Sequence, residues 1–112
     1  MMARISTHVL DIAKGAPAAG IGVELHAGGR PIRSCTTNAD GRTDAPMLAA
    51  DRISAGPYEL IFHVEAYLRA ERPAEPPFFD RIALRFVVED ETGHYHIPLL
   101  LAPHGYSTYR GS

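Results

Sequence analysis

Six histidines stand in a chain of 112 residues, and their spacing matters more than their number. An imidazole has an ordinary pKa of about 6.5, so a neutral ring able to take a proton is available near pH 7. Two of the six lie in His94-Tyr95-His96-Ile97-Pro98-Leu99-Leu100-Leu101, which reads as a strand. Side chains alternate along a strand. Tyr95, Ile97, Leu99 and Leu101 therefore form a core face, and His94, His96, Pro98 and Leu100 face away from it. In Ile5-Ser6-Thr7-His8-Val9-Leu10-Asp11, Ile5 and Val9 share one face while Ser6 and His8 take the other. Two strands thus each aim an imidazole out of the core, among Leu10, Pro98 and Leu100. An outer face of that composition suits a surface covered by another subunit, with a pocket formed there.

The remaining polar groups are less specific. His8, His94 and His96 could supply a three-histidine zinc site, since one strand face can offer two ligands. A His-x-His pair is common, however, and spacing alone does not assign a metal. His26, His63, His94 and His104 read as surface residues. Cys35, the single cysteine, has no histidine near it in sequence and reads as a small strand residue rather than a nucleophile. Asn38-Ala39-Asp40-Gly41-Arg42 reads as a turn in which Gly41 takes positive φ. Gly105 to Ser112 packs two tyrosines, an arginine and two serines into eight residues after an apolar run. Gly105 to Thr108 reads as a last strand, and Arg110 and Ser112 on their own would face solvent.

Short alternating runs punctuated by turn residues must position these groups, the pattern of an all-β sandwich. After Ile5 to Asp11 comes Ile21 to Ala27, with Ile21, Val23, Leu25 and Ala27 inward and Glu24 and His26 outward. Gly28-Gly29 is a hairpin signal before Pro31 to Thr37. Gly56-Pro57 opens Tyr58 to Val64. Phe79 to Glu89 puts Ile82, Leu84, Phe86 and Val88 inward. Glu65 to Glu71 alone is rich in helix formers and predicts two turns of helix, stopped by Pro73.

The composition bounds the function. The length predicts one domain, residues 1–112. Hydrophobic residues at 46% and charged ones at 21% predict a soluble globule. A net charge of −2 gives no electrostatic case for nucleic acid or an anionic membrane surface. A lone cysteine excludes an internal disulfide and suits a reducing compartment. No apolar stretch is long enough for a signal peptide or membrane span, and no peroxisomal Ser-Lys-Leu end is present, so the cytoplasm is expected.

Ser6-Thr7-His8-Val9-Leu10-Asp11, Asp40-Gly41-Arg42, His94-Tyr95-His96-Ile97-Pro98-Leu99-Leu100-Leu101 and Tyr109-Arg110-Gly111-Ser112, in that order, resemble the 5-hydroxyisourate hydrolases, enzymatic relatives of transthyretin. The resemblance spans essentially the whole chain. It implies a transthyretin-like sandwich of two four-stranded sheets with one short helix, assembled as a homotetramer with active sites at the dimer–dimer interface. It implies His8, Arg42 and His96 as catalytic groups, with His8, Arg42, Tyr109, Arg110 and Ser112 at the substrate and no metal or cofactor. The implied reaction converts 5-hydroxyisourate to 2-oxo-4-hydroxy-4-carboxy-5-ureidoimidazoline. Ala102 and His104 stand where that family commonly has serine and tyrosine. The alternative is a transthyretin-type carrier that binds a small ligand without turnover; carriers lack the histidine–arginine–histidine set and the Tyr-Arg-Gly-Ser segment.

Overall fold

Strict alternation along the strands decides the architecture. A computed structural model describes residues 2–112. The elements run β1 (Ala3–Asp11), β2 (Ala16–Pro17), β3 (Gly22–Ala27), β4 (Arg30–Thr36), β5 (Leu48–Ala50), β6 (Gly56–His63), α1 (Glu65–Glu71), β7 (Arg81–Val88), β8 (His94–Ala102) and β9 (Gly105–Thr108). In β1 every second residue, from Ala3 through Ile5, Thr7 and Val9 to Asp11, is buried. Such strands bury one face, and two sheets laid face to face satisfy them.

One sheet has the order β2-β1-β8-β9, with β5 also paired to β1; the other has the order β4-β3-β6-β7. The core between them is drawn from both. Ile5, Val9, Leu99 and Leu101 come from the first sheet and Val23, Leu25, Leu60, Phe62 and Ile82 from the second, each 2% exposed or less. Full burial of one such side chain contributes roughly 1.5–3 kcal/mol. Gly28 and Gly29 turn the β3–β4 hairpin at φ of 59° and 77°, both in the left-handed region that a two-residue hairpin needs.

The expected helix forms over Glu65–Glu71 and buries Leu68. Its Tyr67 hydroxyl donates to Asp11 Oδ2 at 2.7 Å, while Asp11 Oδ1 accepts the Ala13 and Lys14 N–H groups, each at 3.0 Å. Burial and the Asp11 carboxylate push the Tyr67 hydroxyl far up, so it stays a donor. The end of β1 is thereby fixed to the helix. No helix among the described residues is long and apolar enough to cross a membrane.

Three features differ from expectation. The first sheet has five strands rather than four, because two short strands share one edge of β1. β2 pairs with Leu10 and Asp11, and β5 pairs with Ala3 to Ile5. Pro98 keeps the outer face, opposite His8, yet is buried there rather than exposed. His26 and His63 are not isolated surface residues. Both bond the Glu24 carboxylate, at 2.8 and 2.5 Å, and hold its pKa below the usual range.

Candidate active site

β1 and β8 run parallel at the centre of their sheet, although about ninety residues separate them along the chain. Their register sets Ser6 opposite His96 and His8 opposite Pro98. Paired residues share a face, so Arg4, Ser6 and His8 of β1 stand on the same outer face as His94 and His96 of β8. All the other strand pairs in the two sheets are antiparallel.

Between the stretches covered by β2 and β5, the edge of β1 is open, and the Asn38–Arg42 turn docks there. The Val9 N–H donates to the Gly41 carbonyl at 2.8 Å, and His8 pairs with Arg42 in a one-residue antiparallel bridge. Gly41 sits at φ 73°, and a Cβ on it would meet the Val9 carbonyl oxygen at 2.3 Å. Only glycine fits that approach. Asn38 builds the turn: its Oδ1 accepts the Asp40 and Arg42 N–H groups at 2.9 and 3.2 Å, and its own N–H donates to the Arg42 carbonyl at 2.7 Å. The turn therefore delivers two groups to His8, the Arg42 side chain and the Asp40 carbonyl. His8 Nε2 donates to that carbonyl at 2.9 Å. A carbonyl only accepts, so neutral His8 carries its proton on Nε2 and its lone pair on Nδ1.

His96 is held differently. Its Nδ1 is hydrogen-bonded to Ser6 Oγ at 2.8 Å, and its carbonyl accepts the Gly111 N–H at 2.7 Å. Burial lowers the pKa of both imidazoles. Repulsion from Arg42 lowers each further; for His8 the Asp40 carbonyl partly offsets it, and for His96 the charges of His8 and Arg4 add to it. Both rings are neutral at pH 7 and able to accept a proton. An open 210 Å³ concavity is lined by Arg4, Ser6, Arg42, Thr43 and Asp44, among others, and so adjoins the Ser6 and Arg42 neighbours of the rings rather than the rings themselves. This combination offers neutral bases next to a cation, suited to water attack on a carbonyl whose oxygen gains negative charge.

The fold thus brings together His8, Arg42 and His96. Tyr109, Arg110 and Ser112 are exposed. The Arg110 guanidinium lies 4.3 Å from the centre of the Tyr95 ring and donates to the His94 carbonyl at 3.1 Å. Tyr95 lies on the opposite face of β8 from His96, so Arg110 braces the segment rather than facing the imidazoles. His94 is not gathered with His8. It stands opposite Arg4, one end of β1 away, and its Nε2 donates to the Met2 carbonyl at 2.8 Å. Among the described residues no group of three histidine, cysteine or carboxylate side chains is placed to hold a metal ion. Sequence reasoning missed Ser6, Asp40 and Gly111 as partners of the imidazoles. Ser6 carried a signal, since it shares the outward face of His8; the other two act through their backbones.

The HIUase/Transthyretin family model matches residues 5–111. The chain is 50% identical to 5-hydroxyisourate hydrolase of Deinococcus radiodurans over 113 aligned positions, covering 96% of this chain and 95% of the relative. The solved 5-hydroxyisourate hydrolase of Klebsiella pneumoniae superposes with a TM-score of 0.84 at 40% identity, covering 98% of this chain and 99% of that one. A solved (S)-allantoin synthase matches with a TM-score of 0.88 at 35% identity, but the chain spans only 44% of its length. A sandwich of this topology, matched over nearly its whole length by sequence and by structure, places the chain in the HIUase/Transthyretin family.

Proposed function

We propose that this protein hydrolyses 5-hydroxyisourate to 2-oxo-4-hydroxy-4-carboxy-5-ureidoimidazoline. The observation that carries this reading is the convergence of two neutral imidazoles and Arg42 on one sheet face. Full-length likeness to proteins named for that hydrolysis supports it. In the proposed reaction a water oxygen adds to a ring carbonyl carbon, one water proton passes to an imidazole, and the ring C–N bond breaks. The nitrogen leaves with a proton returned by the histidine pair, so the elements of water are divided across the bond. Arg42, with its planar fork of donors, holds the oxygen-rich ring and the oxyanion. Tyr109 and Ser112 border the bound substrate, and Arg110 serves the site by fixing that segment to Tyr95.

In this reading the active unit is a cytoplasmic homotetramer with sites at the dimer–dimer interface. That assembly explains an outer face carrying Leu10, Leu100 and two imidazoles. The test is a spectroscopic assay on freshly generated 5-hydroxyisourate, with spontaneous decay subtracted. His96→Asn is expected to lower kcat by about 10²- to 10⁴-fold, the usual worth of a positioned general acid–base group. Full turnover by that variant would remove His96 from the chemistry.

A further inference from the structure

The two imidazoles are anchored by partners of different chemistry. The Asp40 carbonyl can only accept, so it holds His8 in one tautomer. The Ser6 hydroxyl can accept from an Nδ1–H or donate to a bare Nδ1, so it stays bonded to His96 in either tautomer. The His96 ring is also fixed along its other edge. A Cβ on Gly111 would lie 2.7 Å from His96 Cδ2, so the glycine backbone is pressed against the ring. With Nδ1 held by Ser6 and the Cδ2 edge against Gly111, Nε2 is the nitrogen left to work.

We infer that Ser6 is a positioning residue for the proposed hydrolysis, holding the His96 ring so that Nε2 performs both proton transfers. The inference rests on the hydrolase reading above. Nε2 takes a proton from the attacking water and returns it to the leaving ring nitrogen as the C–N bond breaks. Ser6 neither gains nor loses a proton over the cycle. Its hydroxyl stays hydrogen-bonded to Nδ1 throughout, and this removes ring rotation from the reaction path. His8, locked with its proton on Nε2, orients the water through its Nδ1 lone pair and does not exchange tautomers.

The experiment compares wild type with Ser6→Ala and Ser6→Thr by steady-state kinetics and by ¹⁵N NMR of the imidazoles, with thermal melts confirming folding. Ser6→Ala is expected to lower kcat by about tenfold to a hundredfold, as small misplacements of a reacting group do. KM stays within about twofold of wild type, because on this reading Ser6 acts only through His96. The His96 Nδ1 resonance shifts as its partner is lost. Ser6→Thr, which keeps a hydroxyl on a β-branched residue suited to a strand, restores both. A wild-type kcat in Ser6→Ala, a loss confined to KM, or an unmoved Nδ1 resonance would each overturn the assignment. If wild type itself leaves 5-hydroxyisourate untouched, the hydrolase reading fails, and the Nδ1 resonance still decides whether Ser6 controls His96.

Discussion

A histidine is useful as a base at neutral pH only if it is neutral there, and burial, reinforced by nearby positive charge, favours that form for both rings. Burial and the charge of Arg42 depress both pKa values, and Arg4 and His8 act further on His96. Removing a positive neighbour relieves repulsion of the protonated ring and raises its pKa. Arg42→Gln is therefore expected to move the His96 titration upward toward about 6.5, and Arg4→Gln to move it by less. An NMR titration of the His96 ring checks both, and equal shifts would contradict the ranking of the two charges. Because the folded rings bind protons less readily than unfolded ones, their contribution to stability is whole above about pH 6.5. It declines as pH falls from there through the depressed folded values. At this scale the sequence was partly legible. His8, Arg42 and His96 were named from it, but their partners are a carbonyl and a hydroxyl brought from elsewhere.

The element that assembles the site is the Asn38–Arg42 turn, seated on the stretch of β1 edge that β2 and β5 leave open. Its docking depends on Gly41, where a side chain would meet both a left-handed backbone and the Val9 carbonyl oxygen. Gly41→Ala is expected to cost at least about 2 kcal/mol, combining left-handed strain with the steric clash. Denaturant unfolding measures that loss. Activity should fall further than stability predicts, since the same turn carries Arg42 and the carbonyl that orients His8. The sequence announced this turn through Asn38 and Gly41, and announced the helix through Glu65 to Glu71. It did not announce β2 or β5. Strands of two and three residues carry too little alternation to be read, and they exist here only because the edge of β1 is available to them.

For the whole molecule, the outer face of β1 and β8 is where the proposed assembly and the proposed chemistry meet. Exposed large apolar residues also mark the β7–β9 side, with Val87 at 59%, Tyr106 at 43% and Tyr109 at 56% exposure. Phe78, at 68% exposure, packs edge-on against Phe79, which in turn meets Tyr106. Apolar surface of this extent favours association. Light scattering is expected to give four times the 12.2 kDa mass of the chain. A monomer that turns over substrate at wild-type rate would separate the chemistry from the assembly. The outward apolar residues of β8 and the outward His8 were visible in the sequence, because a period of two sorts faces without any knowledge of neighbours.

Periodicity and turn chemistry, both local, therefore determined the longer strands, the helix, the sandwich class and the outward direction of His8 and His96. The family motifs added Arg42. Register across the β1–β8 pair is not local: it joins residues ninety positions apart, and a shift of one residue would send every side chain to the other face. Tertiary structure alone decided that Ser6 meets His96, that the Asp40 carbonyl fixes the His8 tautomer, and that Arg110 turns to Tyr95. It also decided that Glu24 gathers His26 and His63. Those contacts follow from which backbone lies beside which, and a linear pattern of residue types carries no record of that.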